Sequence, residues 1–287
     1  MSHVLDAYQQ SIIKYYDETR LDYRVLWLNR KNRAVHFGYY EDGIVSHAQA
    51  LENLNRVLAD TVGIDGRDHV LDAGCGQGGS SVWLSENRGC KVDGITLVPH
   101  QVVIASREAT KRGLDKQVAF TVGDYCRTSF PDNSFSVVWA CESLCHTRKK
   151  IEFYNEALRV LKPGGRLIIA EYIRDRRPLQ PDGEHLLAQW LNKWSIQDID
   201  TREEHLEHMK LSGFINTSVR DITPNVVPSL RRLYKISEKL LTLGKVLQMV
   251  GLRNKVNHGN HVGSINHYLA LEQGLWFYGI ISAQKPG

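Results

Sequence analysis

The fold is decided by one stretch, His69-Val70-Leu71-Asp72-Ala73-Gly74-Cys75-Gly76-Gln77-Gly78-Gly79-Ser80-Ser81. A short apolar strand is followed at once by an acid, by closely spaced glycines and by a helical run from Ser80 to Asn87. A strand, a tight glycine loop and a helix N-terminus together bring bare backbone N–H groups up to a ligand. The stretch therefore predicts a ligand site at the first crossover of an α/β sheet.

The glycines of this loop fit two different ligands. Gly74, Gly76 and Gly79 match the G-x-G-x-x-G pattern of dinucleotide-binding proteins. With Gly78 in place of Gly79, the same loop has the G-x-G-x-G spacing of enzymes that bind S-adenosylmethionine. The glycines alone leave both ligands open.

The acids near the loop favour one of the two. A carboxylate at Asp72 would repel a pyrophosphate and attract the ammonium group of a methionine moiety. A dinucleotide site would place its acid about 20 residues further on, at the end of the second strand. Asp93 stands near that distance, but the predicted strand runs on to Thr96. We therefore predict S-adenosylmethionine as the cofactor and an NAD-type oxidoreductase as a rival.

Composition indicates one large α/β domain with an added lid, or two small domains. The 287 residues are 42% hydrophobic and include 36 basic and 32 acidic residues, a formal net charge of +4. That balance is too even to favour a nucleic acid, and no apolar run reaches membrane-spanning length. Four scattered basic runs are interpreted as solvated faces: 30–33, 148–150, 174–177 and 231–232.

The cysteines point to a reducing compartment. Five are present and none form a C-x-x-C pair, namely Cys75, Cys90, Cys126, Cys141 and Cys145. An odd count in a long chain argues for free thiols and a cytoplasmic protein. Cys141, Cys145 and His146 lack a second cluster with ligand spacing, so no metal is expected. Nothing in the sequence argues against a homo-oligomer.

From residue 67 onward, apolar strands alternate with helical patterns. The predicted strands after the first are 91–96, 118–122, 135–140, 166–171, 214–222 and 275–283. A turn is predicted at 162–165, where the sequence reads Lys-Pro-Gly-Gly. Continuous apolar strands joined by helices indicate a parallel sheet that binds ligands at the carboxyl ends of its strands.

Two further regions are predicted to cover that edge. Residues 1–60 form an N-terminal segment, in which two amphipathic helices flank the aromatic stretch Val35–Tyr40. That stretch is either core packing or a wall of the active site. Residues 61–287 form the cofactor-binding domain, with helical lid insertions at about 175–199 and 224–270.

Five motifs in order resemble class I S-adenosylmethionine-dependent methyltransferases. They are Asp72-x-Gly74-x-Gly76-x-Gly78-Gly79, Gly94-Ile95-Thr96-Leu97 with Gln101, Gly123-Asp124, Trp139-x-x-Glu142-Ser143-x-x-His146 and Leu161-Lys162-Pro163-Gly164-Gly165. More narrowly, the chain resembles the tocopherol, sterol and geranyl diphosphate C-methyltransferase group. The resemblance implies an α/β fold: a Rossmann-like sheet of seven strands with the last antiparallel, a helical N-terminal segment and helical lid insertions.

The resemblance also implies cofactor roles by position. The methionine end would be held by Asp72, Gly74, Cys75, Gly76 and Gly78; ribose and adenine would meet Thr96, Leu97 and Gln101; and the adenine amino group would meet Asp124. Gly123, Tyr125 and Ala140 complete the predicted cofactor set. One departure is that many class I enzymes have an acid for the ribose hydroxyls where this chain has Thr96-Leu97.

Two polar residues after the fourth strand are the predicted catalytic groups. His146 would be the base for an oxygen or nitrogen acceptor, whereas Glu142 would stabilise the cation formed when an alkene carbon attacks. The alternatives are that His146 caps the next helix and that Glu142 binds the cofactor's ammonium group.

The predicted substrate contacts are Tyr16, His36, Trp190, Trp194 and His261. Trp190, Trp194 and the leucine-rich lid segments would form an apolar wall, so we predict a small lipophilic acceptor, first of all an isoprenoid or related natural product methylated on carbon. The alternative is an O- or N-methyltransferase of a phenol, amine or glycosylated metabolite that uses His146. A non-catalytic cofactor-binding protein is a third hypothesis, and the presence of both Glu142 and His146 disfavours it.

Overall fold

The computed structural model describes residues 5–20, 33–249 and 255–287, and the side chains among these outside 242–258. Its strands are β1 His69–Ala73, β2 Lys91–Thr96, β3 Val118–Val122, β4 Phe135–Cys141, β5 Leu161–Arg174, β6 Ile215–Asp221 and β7 Trp276–Gln284. They form one sheet in the order β3-β2-β1-β4-β5-β7-β6. The predicted seven-stranded α/β sheet is confirmed.

The direction of the strands positions the functional edge. β1 is parallel to β2 and β4, β2 to β3, and β4 to β5, whereas β7 is antiparallel to both β5 and β6. The predicted antiparallel last strand is therefore correct. The carboxyl ends of β1, β2 and β4 meet at one edge, which is where such sheets bind ligands.

The helices pack around this sheet. They are α1 Ala7–Glu18, α2 His47–Thr61, α3 Gly79–Arg88, α4 Pro99–Lys111, α5 Lys150–Val160, α6 Pro181–Lys193, α7 Arg202–Ser212, α8 Thr223–Met249 and α9 Lys255–Glu272. Capping boxes begin three of them, at Asp6, Ser46 and Thr201. In each box the side chain of the first residue accepts from the backbone N–H three residues later, and the side chain of that later residue accepts from the backbone N–H of the first. This pair of bonds fixes the start of the helix.

The predicted turn at 162–165 is wrong, because these residues belong to β5. Phe135 of β4 pairs with Leu161, but Val137 pairs with Arg166, so β5 carries extra residues at this point. Gly164 has a φ of +75°, a left-handed conformation that glycine adopts without strain. The Pro-Gly-Gly sequence therefore makes an irregularity within a strand and does not end one.

The N-terminal helices share their core with the sheet. One buried cluster contains Trp139 of β4, Tyr15 of α1, Leu54 of α2 and Phe37, which lies between the two helices. Phe37 is 1% exposed in this core, whereas Val35 and His36 of the same aromatic stretch line the crevice described below, so the stretch serves both predicted roles. The predicted N-terminal segment is packed onto the cofactor-binding domain through apolar side chains.

The predicted lid insertions contain α6, α8 and α9. No helix among the described residues is both long and apolar enough to cross a membrane. Two residues of the basic runs contradict their interpretation as solvated faces, because Lys150 is 4% exposed and Arg174 is 3% exposed. Arg174 is drawn inward by ion pairs to Glu184 and Asp198, whereas Arg231 and Arg232 are exposed as predicted.

Candidate active site

The glycine loop between β1 and α3 leaves space beside its middle glycine. Gly74 and Gly78 have φ of +91° and +82°, and a Cβ on either would lie within 3 Å of another side chain. A Cβ on Gly76, whose φ is +51°, would meet nothing within 4 Å. The first and third glycines are therefore required by packing and backbone conformation, and the second faces the open crevice.

A crevice of four connected lobes opens at this point. The central lobe, of about 80 Å³, is bordered by Gly74, Gly76, Leu97, Gln101 and Glu142. The tail lobe, of about 40 Å³, lies beside Asp72, and the acceptor lobe, of about 30 Å³, lies beyond Glu142. The mouth, of about 310 Å³, opens between Asp124 and the N-terminal part of α1. Each outer lobe shares lining residues with the central one.

Asp72 lies at the tail lobe with its carboxylate buried. It is 2% exposed, and Ser81 Oγ donates a hydrogen bond to its Oδ2 at 2.5 Å. Burial raises the pKa of Asp72 to about 7, while the bond from Ser81 acts in the opposite direction. A buried carboxylate without a cation gains from the arrival of a positively charged ligand.

Three more polar atoms of the tail lobe are buried and have no hydrogen-bond partner among the described residues. They are His36 Nε2, Gln77 Oε1 and Arg33 Nε. Burial lowers the pKa of His36 to about 4, so the ring is neutral. Its Nδ1 lies 2.9 Å from the carbonyl oxygen of Phe37, which assigns the proton to Nδ1 and leaves Nε2 as an acceptor. The lobe thus presents three acceptors and one cationic donor.

The predicted adenosine residues surround the central lobe and the mouth. Thr96 Oγ1 donates to Gln101 Oε1 at 2.8 Å, and Leu97 borders both spaces. Asp124 accepts hydrogen bonds from Gln9 Nε2 and from the Cys126 backbone, both at 2.8 Å. The bond to Gln9 ties α1 across the mouth.

The remaining predicted cofactor residues divide between the crevice and the core. Tyr125 and Cys75 line it. Gly123 packs against Ile95, whose side chain would lie 2.8 Å from a Cβ there. Ala140 is 1% exposed inside β4 and lines none of the four lobes, whereas its neighbour Cys141 lines two. Gly78 also stays outside the lobes and caps α3.

Glu142 borders both the central and the acceptor lobes. Its Oε1 accepts from the Phe37 backbone at 2.6 Å and from Tyr278 Oη at 2.7 Å, and its Oε2 accepts from Tyr172 Oη at 2.5 Å. The backbone φ of Glu142 is +50°, an unusual value for a non-glycine residue. Burial raises the pKa of Glu142 to about 7, against the effect of these three bonds.

His146 lies across the acceptor lobe from Glu142. Its Nε2 is 3.0 Å from Tyr16 Oη of α1, with the rings in an edge-to-face arrangement. Burial lowers the pKa of His146 to about 4, so the ring is neutral near pH 7. The next helix is capped at Lys149, so the alternative in which His146 caps it is wrong.

The predicted substrate residues divide in the same way. Tyr16 and Trp194 line the acceptor lobe, whereas His36 lies in the tail lobe. Trp190 is 0% exposed and packs against Trp276 and His267, because it faces β7 and α9. His261 is 2% exposed on α9, with Nδ1 3.3 Å from Ser237 Oγ. Neither of these two reaches the described lobes.

Sequence reasoning missed the residues that hold Glu142. Tyr172 and Tyr278 are interior strand residues, and nothing in their local spacing separates them from ordinary core tyrosines. Gln77 could have been found, because it stands inside the glycine loop itself. Arg33 was assigned to a solvated basic run, and the structure turns its Nε into the tail lobe.

Comparison with known proteins identifies the family. A family model described as a methyltransferase domain matches residues 71–169. The 27-O-demethylrifamycin SV methyltransferase of Amycolatopsis mediterranei is 30% identical over 197 residues, which are 68% of this chain and 71% of that protein. The chain belongs to the class I S-adenosylmethionine-dependent methyltransferases. The cofactor of this family is S-adenosylmethionine, as the sequence predicts.

Other relatives are named for lipophilic compounds. The 2-methyl-6-phytyl-1,4-hydroquinone methyltransferase of Synechocystis is 37% identical over 64% of this chain and 60% of that protein. The sterol 24-C-methyltransferase of Eremothecium gossypii is 32% identical over 63% of this chain, but only 47% of the relative's own length is aligned. Among solved structures, the (4+2) cyclase SpnF superposes with a TM-score of 0.79 and 26% identity, over 99% of this chain and 98% of that one.

Proposed function

We propose that this methyltransferase transfers a methyl group to carbon on a small lipophilic acceptor, an isoprenoid or a related natural product. The observation that carries the proposal is the position of Glu142, whose carboxylate borders the cofactor space on one side and the acceptor lobe on the other. The relatives named for a sterol and a phytyl hydroquinone support the same class of acceptor.

The residues present fit the cofactor. The acceptors on Asp72, His36 and Gln77 suit an ammonium group, and the buried Arg33 Nε suits the carboxylate beside it. Thr96, Leu97, Gln101, Asp124 and Tyr125 line the space for ribose and adenine. We therefore reassign His36 from the acceptor to the amino-acid tail of the cofactor.

The acceptor lobe suits an apolar group on which positive charge develops. It is lined by Tyr15, Tyr16, Tyr172 and Trp194, and among the described residues no lysine or arginine borders it. Aromatic faces attract a cation, and the absence of a basic side chain disfavours a phosphate group in this lobe. At about 30 Å³ the lobe holds only a small group, so we expect α1 to move when a larger acceptor enters.

The chemistry follows from this arrangement. Bound S-adenosylmethionine supplies an electrophilic methyl group. When an alkene carbon of the acceptor takes the methyl group, positive charge remains on the neighbouring carbon, and the Glu142 carboxylate stabilises it. Glu142 then accepts the proton whose loss restores the double bond, and a pKa near 7 suits a group that takes and returns protons at neutral pH. Tyr172 and Tyr278 keep the carboxylate in place.

O- or N-methylation is the second candidate, because the neutral His146 lies at the acceptor lobe with Nε2 3.0 Å from Tyr16 Oη. That pair could take a proton from a hydroxyl or ammonium acceptor.

The five free thiols support our placement of the protein in the cytoplasm.

Transfer of a labelled methyl group tests the proposal. Purified protein is incubated with S-adenosylmethionine labelled in the methyl group and a lipid extract of the source organism, and label in the extract is measured. Hydriodic acid releases methyl groups from oxygen but not from carbon, so carbon-methylated product should keep its label. Label released by the acid would support the second candidate. Product formed without S-adenosylhomocysteine would indicate cyclase chemistry and contradict methyl transfer.

Two variants separate the proposed groups. Glu142→Gln should lower transfer by roughly a hundredfold, the usual contribution of a positioned acid or base, while His146→Gln should keep most of it. Glu152→Gln, at the exposed rim of the mouth, is the matched control. The reverse order, with His146 essential and Glu142 dispensable, would contradict carbon methylation by Glu142.

A further inference from the structure

Lys150 is a buried cation in an unfavourable place. It is 4% exposed and occupies the first position of α5, where a positive charge opposes the helix dipole. Burying an ammonium group also costs free energy unless its hydrogens are satisfied. Its Nζ donates to the backbone oxygen of Thr147 at 2.5 Å and to that of Asp198 at 3.2 Å. These two hydrogen bonds to backbone carbonyls offset part of the cost of burying the ammonium group.

Glu171 is a buried carboxyl group on the other side of the same segment. It is 1% exposed on β5, and its Oε2 accepts from the Cys145 backbone N–H at 2.8 Å. Its Oε1 accepts from the Tyr172 N–H at 2.9 Å. Burial raises the pKa of Glu171 to about 8, while both backbone bonds act in the opposite direction.

Lys150 and Glu171 bracket one short turn. Cys145 and Thr147 stand on either side of His146, in and just after the 3₁₀ turn Leu144–His146. The carboxyl oxygen of Glu171 accepts from an N–H of this segment and the ammonium group of Lys150 donates to a C=O, so both kinds of backbone group are held. The segment continues directly from Glu142. Among the described residues, no other acidic or basic side chain hydrogen-bonds to the backbone of Cys145 or Thr147.

We propose that Lys150 and Glu171 are positioning residues, a hydrogen-bonding clamp that fixes the turn carrying His146 and the adjoining Glu142 against the acceptor lobe. Neither residue lines a described lobe, so neither touches the reacting groups. The inference rests on the proposed active-site role of this turn, but its test needs no methyl transfer.

The clamp has a spectroscopic consequence at His146. Tyr16 of α1 contacts its ring and Glu142 lines the same lobe, while the Ser195 backbone after α6 and the charge of Lys150 on α5 act on its pKa. The charge of Lys150 lowers the pKa of His146, in addition to the larger effect of burial, while the Ser195 backbone raises it. Removing that charge should therefore raise the pKa of His146.

The test compares variants of one side chain in the ligand-free protein. Lys150→Gln removes the charge and keeps a hydrogen-bond donor, Lys150→Arg keeps the charge, and Lys149→Gln removes its exposed neighbour. The His146 imidazole is followed by nitrogen-15 NMR between pH 3 and 8, a range that includes its pKa of about 4, and assigned with His146→Gln. We expect its pKa to rise in Lys150→Gln, because a like charge is removed, and to stay at the wild-type value in Lys150→Arg and Lys149→Gln. An unchanged His146 pKa in folded Lys150→Gln would overturn the clamp.

A second variant covers the case in which Lys150→Gln does not fold. Glu171→Gln keeps the shape of the side chain but replaces one of its two acceptor oxygens with an amide group, which cannot accept from a backbone N–H. We expect the amide proton of Cys145 or of Tyr172, whichever loses its acceptor, to shift upfield and to exchange about tenfold faster with solvent. An unchanged shift and exchange rate would overturn the role of Glu171. Unimpaired methyl transfer in variants whose NMR readouts change as expected would count against the proposed active-site role of the turn alone.

Discussion

At the scale of single residues, burial sets the chemistry of the crevice. Asp72 and Glu142 are carboxyls whose pKa values rise to about 7, and His36 and His146 are imidazoles whose pKa values fall to about 4. In all four the largest cause is the removal of water. The two acids are therefore close to half ionised at neutral pH, and the two histidines are neutral. All four side chains can accept a proton or a hydrogen bond at that pH.

The tail-lobe assignment predicts a ligand-dependent effect of one substitution. His36→Leu removes an acceptor for a charged donor, and we expect S-adenosylhomocysteine to bind roughly tenfold more weakly. 5′-Methylthioadenosine lacks the amino-acid tail and should bind with wild-type affinity. Calorimetry with both ligands makes the comparison, and His47→Leu, a histidine that pairs with Tyr40 outside the crevice, is the control. Equal weakening of both ligands would move His36 away from the tail.

At the scale of elements, α1 closes the crevice mainly through polar contacts. It buries only Ile12 and Tyr15. Polar contacts from its side chains reach Asp124, His146 and the Ser195 carbonyl. Helix α3, in contrast, begins at the glycine loop and has six buried residues. Few buried apolar side chains are a mark of an element that opens locally.

Hydrogen exchange measures this difference. Amides of Ala7–Glu18 should exchange about a hundredfold faster than those of Gly79–Arg88 in the ligand-free protein, since α1 can open alone. Saturating S-adenosylhomocysteine should slow exchange in α1, because the ligand fills the space under it. If α1 is already as protected as α3 without ligand, it is a fixed wall and the acceptor needs another route.

The elements also show how far sequence patterns extend. Periodicity and glycine spacing predicted the strands, the capping box at Thr201 and the loop at Gly76, because these depend on neighbours in the chain. The tyrosines on Glu142 could not be predicted, since Tyr278 is 136 residues away from it along the chain. The basic run at 148–150 misled for the same reason, because burial of Lys150 depends on Glu171 and Asp198 from other elements.

At the scale of the whole molecule, one edge of the sheet collects every group that the account uses. β1 supplies Asp72, the segment after β4 supplies Glu142 and His146, and β5 and β7 supply the tyrosines that hold Glu142. The fold itself leaves the reaction open, since the SpnF cyclase shares it. The account therefore depends on whether Asp72 receives the positively charged tail of S-adenosylmethionine.

The pH dependence of cofactor binding tests that claim most directly. The pKa of Asp72 is raised from 3.8 to about 7, so below pH 7 the empty site holds a proton that an ammonium group must displace. Affinity should therefore increase by roughly tenfold between pH 6 and 8 and then level off. In Asp72→Asn the charge is absent, so binding should be at least about tenfold weaker at pH 8 and this part of the pH dependence should disappear.

The measurement is a calorimetric titration of S-adenosylhomocysteine into wild-type protein and into Asp72→Asn from pH 6 to 8.5. Asp93→Asn serves as the control, because Asp93 pairs with His69 away from the crevice. The account predicts a wild-type affinity that rises with pH, a weak and flatter profile in Asp72→Asn, and a wild-type profile in Asp93→Asn. Identical affinities and pH profiles in wild type and Asp72→Asn would contradict it.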